Sequence, residues 1–137
     1  MFEYKRILVA TDGSEFSDEA LRQAVSLAKK NNARLTAVSV AYTARPWVLK
    51  DAIRQEAEKA LLRAKELAEQ EGVVLRTRIE EGYPFEKIIE VAKELKSDLI
   101  VMGSHGHTGI GKILIGSVTE RVIGGAPCPV LVAQKKE

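Results

Sequence analysis

The sequence predicts an α/β fold, a parallel sheet with helices on both faces, and three observations predict it. Strand-like and helix-like patterns alternate from one end of the chain to the other. The strand-like runs are short and nearly continuous in apolar residues, as burial on both faces of a sheet demands. The turns between patterns are short, and each passage from strand to strand goes through a helix, the crossover a parallel pair requires.

Arg6–Ala10 (RILVA) is the first such run and reads as a fully buried strand. The polar turn TDGSEFS follows. Ser17 is the expected N-cap of the first helix, with Asp18 and Glu19 near its positive end. That helix carries Ala20, Leu21, Ala24, Leu27 and Ala28 and breaks at Asn31-Asn32. Arg34–Val40 is the second strand. The loop after it holds Pro46 and Trp47, the latter a lid, a dimer contact or an ordinary loop residue, with nothing in the sequence to choose among them. A long helix then places Ile53, Ala57, Ala60, Leu61, Ala64, Leu67 and Ala68 on one face and ends at Gly72. Val73–Glu80 alternates more than the first strand, which suits a place nearer an edge. Gly82 and Pro84 introduce a third helix, with Phe85, Ile88, Ile89, Ala92 and Leu95 facing inward. Asp98–Gly103 is the fourth strand. A glycine-rich loop, a short helix from about Ser117 and a fifth strand, Val130–Ala133, complete the chain.

The bulk composition sets outer limits. The 137 residues suit a single domain, 1–137, with a real hydrophobic core. Aromatics make up 5%, so that core must be aliphatic. A formal charge of +2, with cations interleaved among acids, lacks the concentrated basic face that nucleic acid requires. One cysteine, Cys128, excludes an internal disulfide and fits a reducing cytoplasm. The N-terminal apolar run is too short for a signal sequence, and no run is long enough to span a bilayer. A cytoplasmic protein without membrane or nucleic-acid partners is the expectation.

In an open parallel sheet, ligands bind beyond the carboxyl ends of strands where the strand order reverses. Two loops lie at such ends: Thr11-Asp12-Gly13-Ser14 after the first strand, and Gly103 to Gly116 after the fourth. If those strands are neighbours, the loops share one crevice. Glycines 103, 106, 109, 111 and 116 allow close backbone approach and positive φ, and successive amides there can form an anion-binding nest. Ser117 and Glu120 have capping-box spacing, and the open amides and dipole of the last helix would suit phosphate. Thr108, Lys112 and Ser117 are further donors. The competing account is a flexible glycine-rich turn with no ligand. Asp12 can accept hydrogen bonds from ribose hydroxyls or an adenine amino group while also closing an Asx-turn with Gly13. Val40, ending the second strand, is placed to pack on a base.

Other patterns lead elsewhere and are weaker. Gly106 to Lys112 (GHTGIGK) has P-loop spacing, but Ile113 stands where Mg²⁺ needs a hydroxyl, and no Walker-B acid follows. His105 and His107 have no further ligands nearby in sequence to close a metal shell. Cys128, between Pro127 and Pro129, reads as a packed residue entering an edge strand.

The loop and its frame resemble the universal stress protein family, in the subgroup that binds ATP. Its glycine motif, G-x-x-G, nine residues, then G-[ST], is matched by Gly103-Ser104-His105-Gly106 and Gly116-Ser117. VATDGSEFS resembles the family's opening and GSVTERVIGGAPCPVLVA its close, so the resemblance covers essentially the whole chain. It implies a five-stranded parallel sheet of order 3-2-1-4-5 in a Rossmann-like frame, and a homodimer through the last strand. It also implies ATP, ADP or AMP, with Mg²⁺ or Mn²⁺ beside the phosphates. Adenine would lie near Asp12 and Val40, ribose near Asp12 and Gly103, and phosphates over Gly106, Gly116, Ser117 and Val118. Thr11, Met102 and Thr119 complete that residue set, Thr119 as a hydroxyl one turn into the helix. Ala10 departs from the proline many relatives carry before Thr-Asp.

The leading functional expectation is an ATP-binding stress-response or regulatory protein with little turnover, since no base, arginine finger or paired metal acids stand out. Two alternatives stay open. One is an adenylate-forming or slowly ATP-hydrolysing enzyme, although the Ser-Gly-Gly-x-Asp-Ser loop of adenylate-forming relatives is missing after the first strand. The other is a ligand-free dimerisation scaffold.

Overall fold

The chain runs β1 (Arg6–Ala10), α1 (Glu15–Asn31), β2 (Arg34–Ala41), α2 (Lys50–Gln70), β3 (Leu75–Glu81), α3 (Pro84–Glu94), β4 (Leu99–Gly103), α4 (Ser117–Gly125) and β5 (Val130–Ala133). This is a computed structural model, and it describes residues 3–42, 49–105 and 116–134. Gly106, His107, Thr108, Lys112 and Trp47, all singled out above, lie outside the described residues.

All strand pairs are parallel and the order is β3-β2-β1-β4-β5, as the resemblance implies. β3 takes the edge its alternating pattern suggested. Alternation along β1 explains why its sequence is apolar throughout. Ile7 and Val9 enter a core layer with Leu21, Ala24 and Val25 of α1 and Leu61, Ala64 and Ala68 of α2. Leu8, between them, enters the opposite layer with Ile88 and Val91 of α3 and Val122 of α4. Each fully buried aliphatic side chain contributes about 1.5–3 kcal/mol relative to exposure, so both faces drive the same register. The buried stripe of α2 is mostly alanine (Ala57, Ala60, Ala64, Ala68), which lets that helix sit close over β2 and β3.

Polar groups tie the layers together at the ends. The Asp98 carboxylate accepts from the amides of Lys5 (2.8 Å) and Arg6 (3.1 Å), pinning the start of β4 to the start of β1. Asp18, buried in the first turn of α1, accepts two hydrogen bonds from Arg63 of α2, at 3.1 and 2.7 Å. Those bonds, and then the carboxylate charge, raise the Arg63 guanidinium above its ordinary pKa. Among the described residues, no helix is long and apolar enough to cross a membrane.

Two helix starts differ from the sequence expectation. The N-cap of α1 is Ser14, not Ser17: Ser14 Oγ accepts from the Ser17 amide at 3.2 Å, and Ser17 is buried within the first turn. Ser117 is the first residue of α4, not its cap, so the expected Ser117–Glu120 capping box does not form; Gly116 occupies the cap with no side-chain bond. Strand ends elsewhere shift by a residue or two, which is ordinary fraying of the pattern.

The far end of α1 closes on Asn32, in the left-handed region at φ 52°, with its amide donating to the Ala28 carbonyl. A Cβ-bearing residue other than Asn or Asp pays steric strain there. Asn32→Ala is expected to lower unfolding free energy by about 1 kcal/mol while Asn32→Gly holds it near the parent value. Urea denaturation of the three proteins checks this.

Candidate functional site

The carboxyl end of the sheet assembles three components from three strands. The first is the turn after β1. The Thr11 amide donates to the Val38 carbonyl at 3.0 Å, the last contact before the chain leaves the sheet. Thr11 Oγ1 then turns inward, 3.1 Å from Ser17 Oγ, and accepts from the Gly13 amide at 3.3 Å. Gly13 sits at φ 82°, which favours glycine. Asp12 Oδ1 accepts from the Ser14 amide at 2.9 Å, the Asx geometry that an Asp-Gly turn invites. Thr11, Ser14 and Ser17 are buried, so the turn is braced from beneath and presents Asp12 on the exposed side.

The second component joins the end of β4 to the start of α4. β1 and β4 are neighbours (Val9↔Val101), so Asp12 and Gly103 leave adjacent strands, about 4.8 Å apart in a sheet. Gly103 is a glycine for want of space. A Cβ there would lie 2.7 Å from the backbone carbonyl of Phe16 and 2.8 Å from its Cβ. Thr119 Oγ1 donates to the Gly103 carbonyl at 2.9 Å, so its proton is committed within the protein. The Gly116 amide donates to the Ser104 carbonyl at 2.7 Å and brings α4 against the strand end. Gly116 itself has φ −64°, open to any residue, and a Cβ would meet the Ser104 carbonyl at 3.3 Å. The cap carries no side-chain acceptor, so among the described residues no side chain caps the first amides of α4, at the positive end of the helix dipole. His105 lies beside them. Its Nδ1 is 3.1 Å from Ser104 Oγ, its ring is 5.2 Å from that of Phe16, and among the described residues its buried Nε2 has no hydrogen-bond partner.

The third component is a cleft of about 250 Å³ between the end of β2 and the first turns of α2, lined by Asp12, Ser39, Val40, Tyr42, Ile53, Glu56 and Ala57. Among the described residues its lining is apolar apart from two carboxylates and the hydroxyls of Ser39 and Tyr42, with no cation. Strand alternation adds backbone groups. Val38 bonds to the β1 side and Ala41 accepts from Gly82 on the β3 side, so the amide and carbonyl of Val40 face the β1 side, beyond the last pair Ala10↔Val38.

Asp12 and Val40 therefore share one cleft, while Gly103, Gly116, Ser117, Val118 and Thr119 gather two strands away. Met102 packs in the core layer with Leu8 and Val38, beneath this end of the sheet. Tyr42 and Glu56 were not singled out in the sequence, and Ile53 and Ala57 appeared only as helix-face residues. The one available signal was Glu56 interrupting the apolar stripe three residues after Ile53. Among the described residues, no group of three His, Cys, Asp or Glu is arranged to hold a metal ion. Burial, and then the charge of Asp98, push the Cys128 thiol above its ordinary pKa, the reverse of an activated nucleophile.

With this geometry in hand, the chain matches the model of the universal stress protein family over residues 3–134. A universal stress protein of Methanocaldococcus jannaschii is 42% identical over 142 aligned positions, covering 96% of this chain and 83% of its own. A universal stress protein solved in complex with cAMP superposes with a TM-score of 0.78 at 27% identity, covering 98% of this chain and all (100%) of its own. The universal stress protein from Archaeoglobus fulgidus in complex with dAMP superposes with a TM-score of 0.78 at 26% identity, covering 96% of this chain and 99% of its own.

The two motif glycines should respond differently to a methyl group. Gly103→Ala is expected to destabilise the fold by about 2–3 kcal/mol, because the opposing atoms are backbone and cannot rotate away. Gly116→Ala, with an allowed φ and a 3.3 Å contact, should cost less than about 1 kcal/mol. Equilibrium denaturation of both variants makes the comparison.

Proposed function

The chain belongs to the universal stress protein family, and on that premise we propose that it binds ATP as a stress-response or regulatory protein with little turnover. The observation that carries this reading is the glycine-capped start of α4, which shares one end of the sheet with the acid-lined cleft at β2. A helix start of this kind suits phosphate, and an apolar cleft with a few polar groups suits a nucleoside. The complexes of two relatives with cAMP and dAMP support an adenine nucleotide as the ligand class.

In this reading the triphosphate lies on the amides of Ser117 and Val118, with Gly116 leaving room beneath it. Gly106 would join them from outside the described residues. Ribose lies over the Gly103 carbonyl end and the Asp12 carboxylate. The base enters the cleft, its edge against the amide and carbonyl of Val40. Thr11, Met102 and Thr119 serve from beneath, as the brace of the turn, the floor of the strand end and the tie between α4 and Gly103. A Mg²⁺ or Mn²⁺ ion would be held by the phosphates, because the described residues supply no ligand cluster of their own.

The reading extends to a cytoplasmic homodimer formed through β5. Pro129, Leu131 and Ala133 direct their backbone bonds toward β4, so Val130 and Val132 turn theirs to the open edge. Edge pairing would satisfy those groups and cover Ile123, which is 46% exposed on the neighbouring helix.

Two measurements test this. Mg-ATP at 100 times its dissociation constant should stabilise the protein by about 2.7 kcal/mol. Gly116→Arg, whose side chain obstructs the phosphate bed, should abolish the thermal shift; no shift in the parent at millimolar ATP would refute the nucleotide reading. Sedimentation should find the parent dimeric and Val132→Pro, which removes one outward amide without touching the β4 ladder, monomeric.

A further inference from the structure

The cleft has one feature that nucleotide binding in general does not require. Glu56 places a carboxylate on its α2 wall, across from Val40 and beside Ile53 and Ala57. Among the described residues Glu56 takes part in no ion pair; Arg54, two residues before it, is committed to Glu58 (3.6 Å) and Glu81 (2.6 Å). A carboxylate facing this cavity can accept from a donor on a ligand. It would repel the phosphates, which separates the two ends of any nucleotide lying here.

Strand order sets which part of a nucleotide reaches it. The phosphate bed stands over β4, Asp12 over β1 and the cleft over β2. Two strand spacings, about 10 Å, separate the bed from the cleft. A nucleotide with its phosphates on α4 thus passes its ribose over Asp12 and delivers its base between Val40 and α2. Adenine presents a 6-amino group with two hydrogens. The Val40 carbonyl can accept one; the second points away from the strand and needs another acceptor.

We propose that Glu56 is the residue that selects an amino-bearing purine, its carboxylate accepting the second hydrogen of the 6-amino group. The proposal rests on the nucleotide reading above. Its chemistry explains a preference for adenine over 6-oxo purines, whose carbonyl would face two acceptors, and leaves phosphate number to α4.

A binding cycle isolates this contact. Dissociation constants for ATP and for purine riboside 5′-triphosphate, which lacks the amino group, are measured by calorimetry on the parent, Glu56→Ala and Glu58→Ala. Repulsion between a removed acid and the phosphates affects both ligands equally and cancels in their ratio. In the parent, ATP should bind more tightly than the purine analogue, and Glu56→Ala should shrink that ratio about tenfold, the size of one hydrogen bond to a charged group. Glu58→Ala, on the same helix but outside the cleft, should keep the parent ratio. An unchanged ratio in Glu56→Ala, with ATP still bound, overturns the role of Glu56 and leaves the nucleotide site standing. If the parent binds neither ligand, the nucleotide reading falls and this proposal with it. Alanine is a strong helix former at an exposed position, so Glu56→Ala retains the fold.

Discussion

At Gly103 three elements meet on one residue without a side chain. The backbone of Phe16, in the first turn of α1, lies where a Cβ would be, and the Gly103 carbonyl takes the Thr119 hydroxyl of α4. Remove that close approach and both helices must lift away from the strand end. The turn holding Asp12 is braced by the same first turn of α1 through Ser14 and Ser17. The cleft, the turn and the start of α4 therefore keep their spacing because β4 ends in a residue that occupies no volume beyond its backbone.

Around that point the polar groups divide by sign. Toward α2 the side chains are acceptors, Asp12 and Glu56, set among Val40, Tyr42, Ile53 and Ala57. Toward α4 stand backbone donors at the positive end of a helix whose cap, Gly116, offers no side chain. Neither end uses a lysine or arginine among the described residues. A ligand that is rich in donors at one end and anionic at the other fits this division in one orientation only.

Much of the fold was legible in the sequence because burial on both faces of a sheet leaves a signature that survives without tertiary information. RILVA and VLVA coincide with β1 and β5. Asn32 and Gly72 mark helix ends because each occupies the left-handed region. The two caps failed for a shared reason. Ser14 and Ser17 are both competent N-caps three residues apart, and the choice falls to Ser14 because the helix must start early enough to lay Phe16 over Gly103. Ser117 is likewise a competent cap, but the Gly116 amide bonds to Ser104 and Thr119 to Gly103, which set the helix one residue earlier. Glycine motifs were visible too, but the reason for Gly103 was not, since it lies in a residue far away along the chain.

By itself the sequence determined the alternation of strands and helices, the aliphatic composition of both core layers, the Asx turn at Asp12 and the family whose glycine spacing it carries. These are properties of local chemistry and of patterns with a fixed period. Only the tertiary structure decided that the Phe16 backbone lies where a Cβ of Gly103 would be, and that Glu56 and Tyr42 join Val40 in one cleft. Each of these depends on how helices cross the sheet. A side chain on α2 is remote in sequence from Asp12, and only the alanine stripe packing that helix over β2 brings them together.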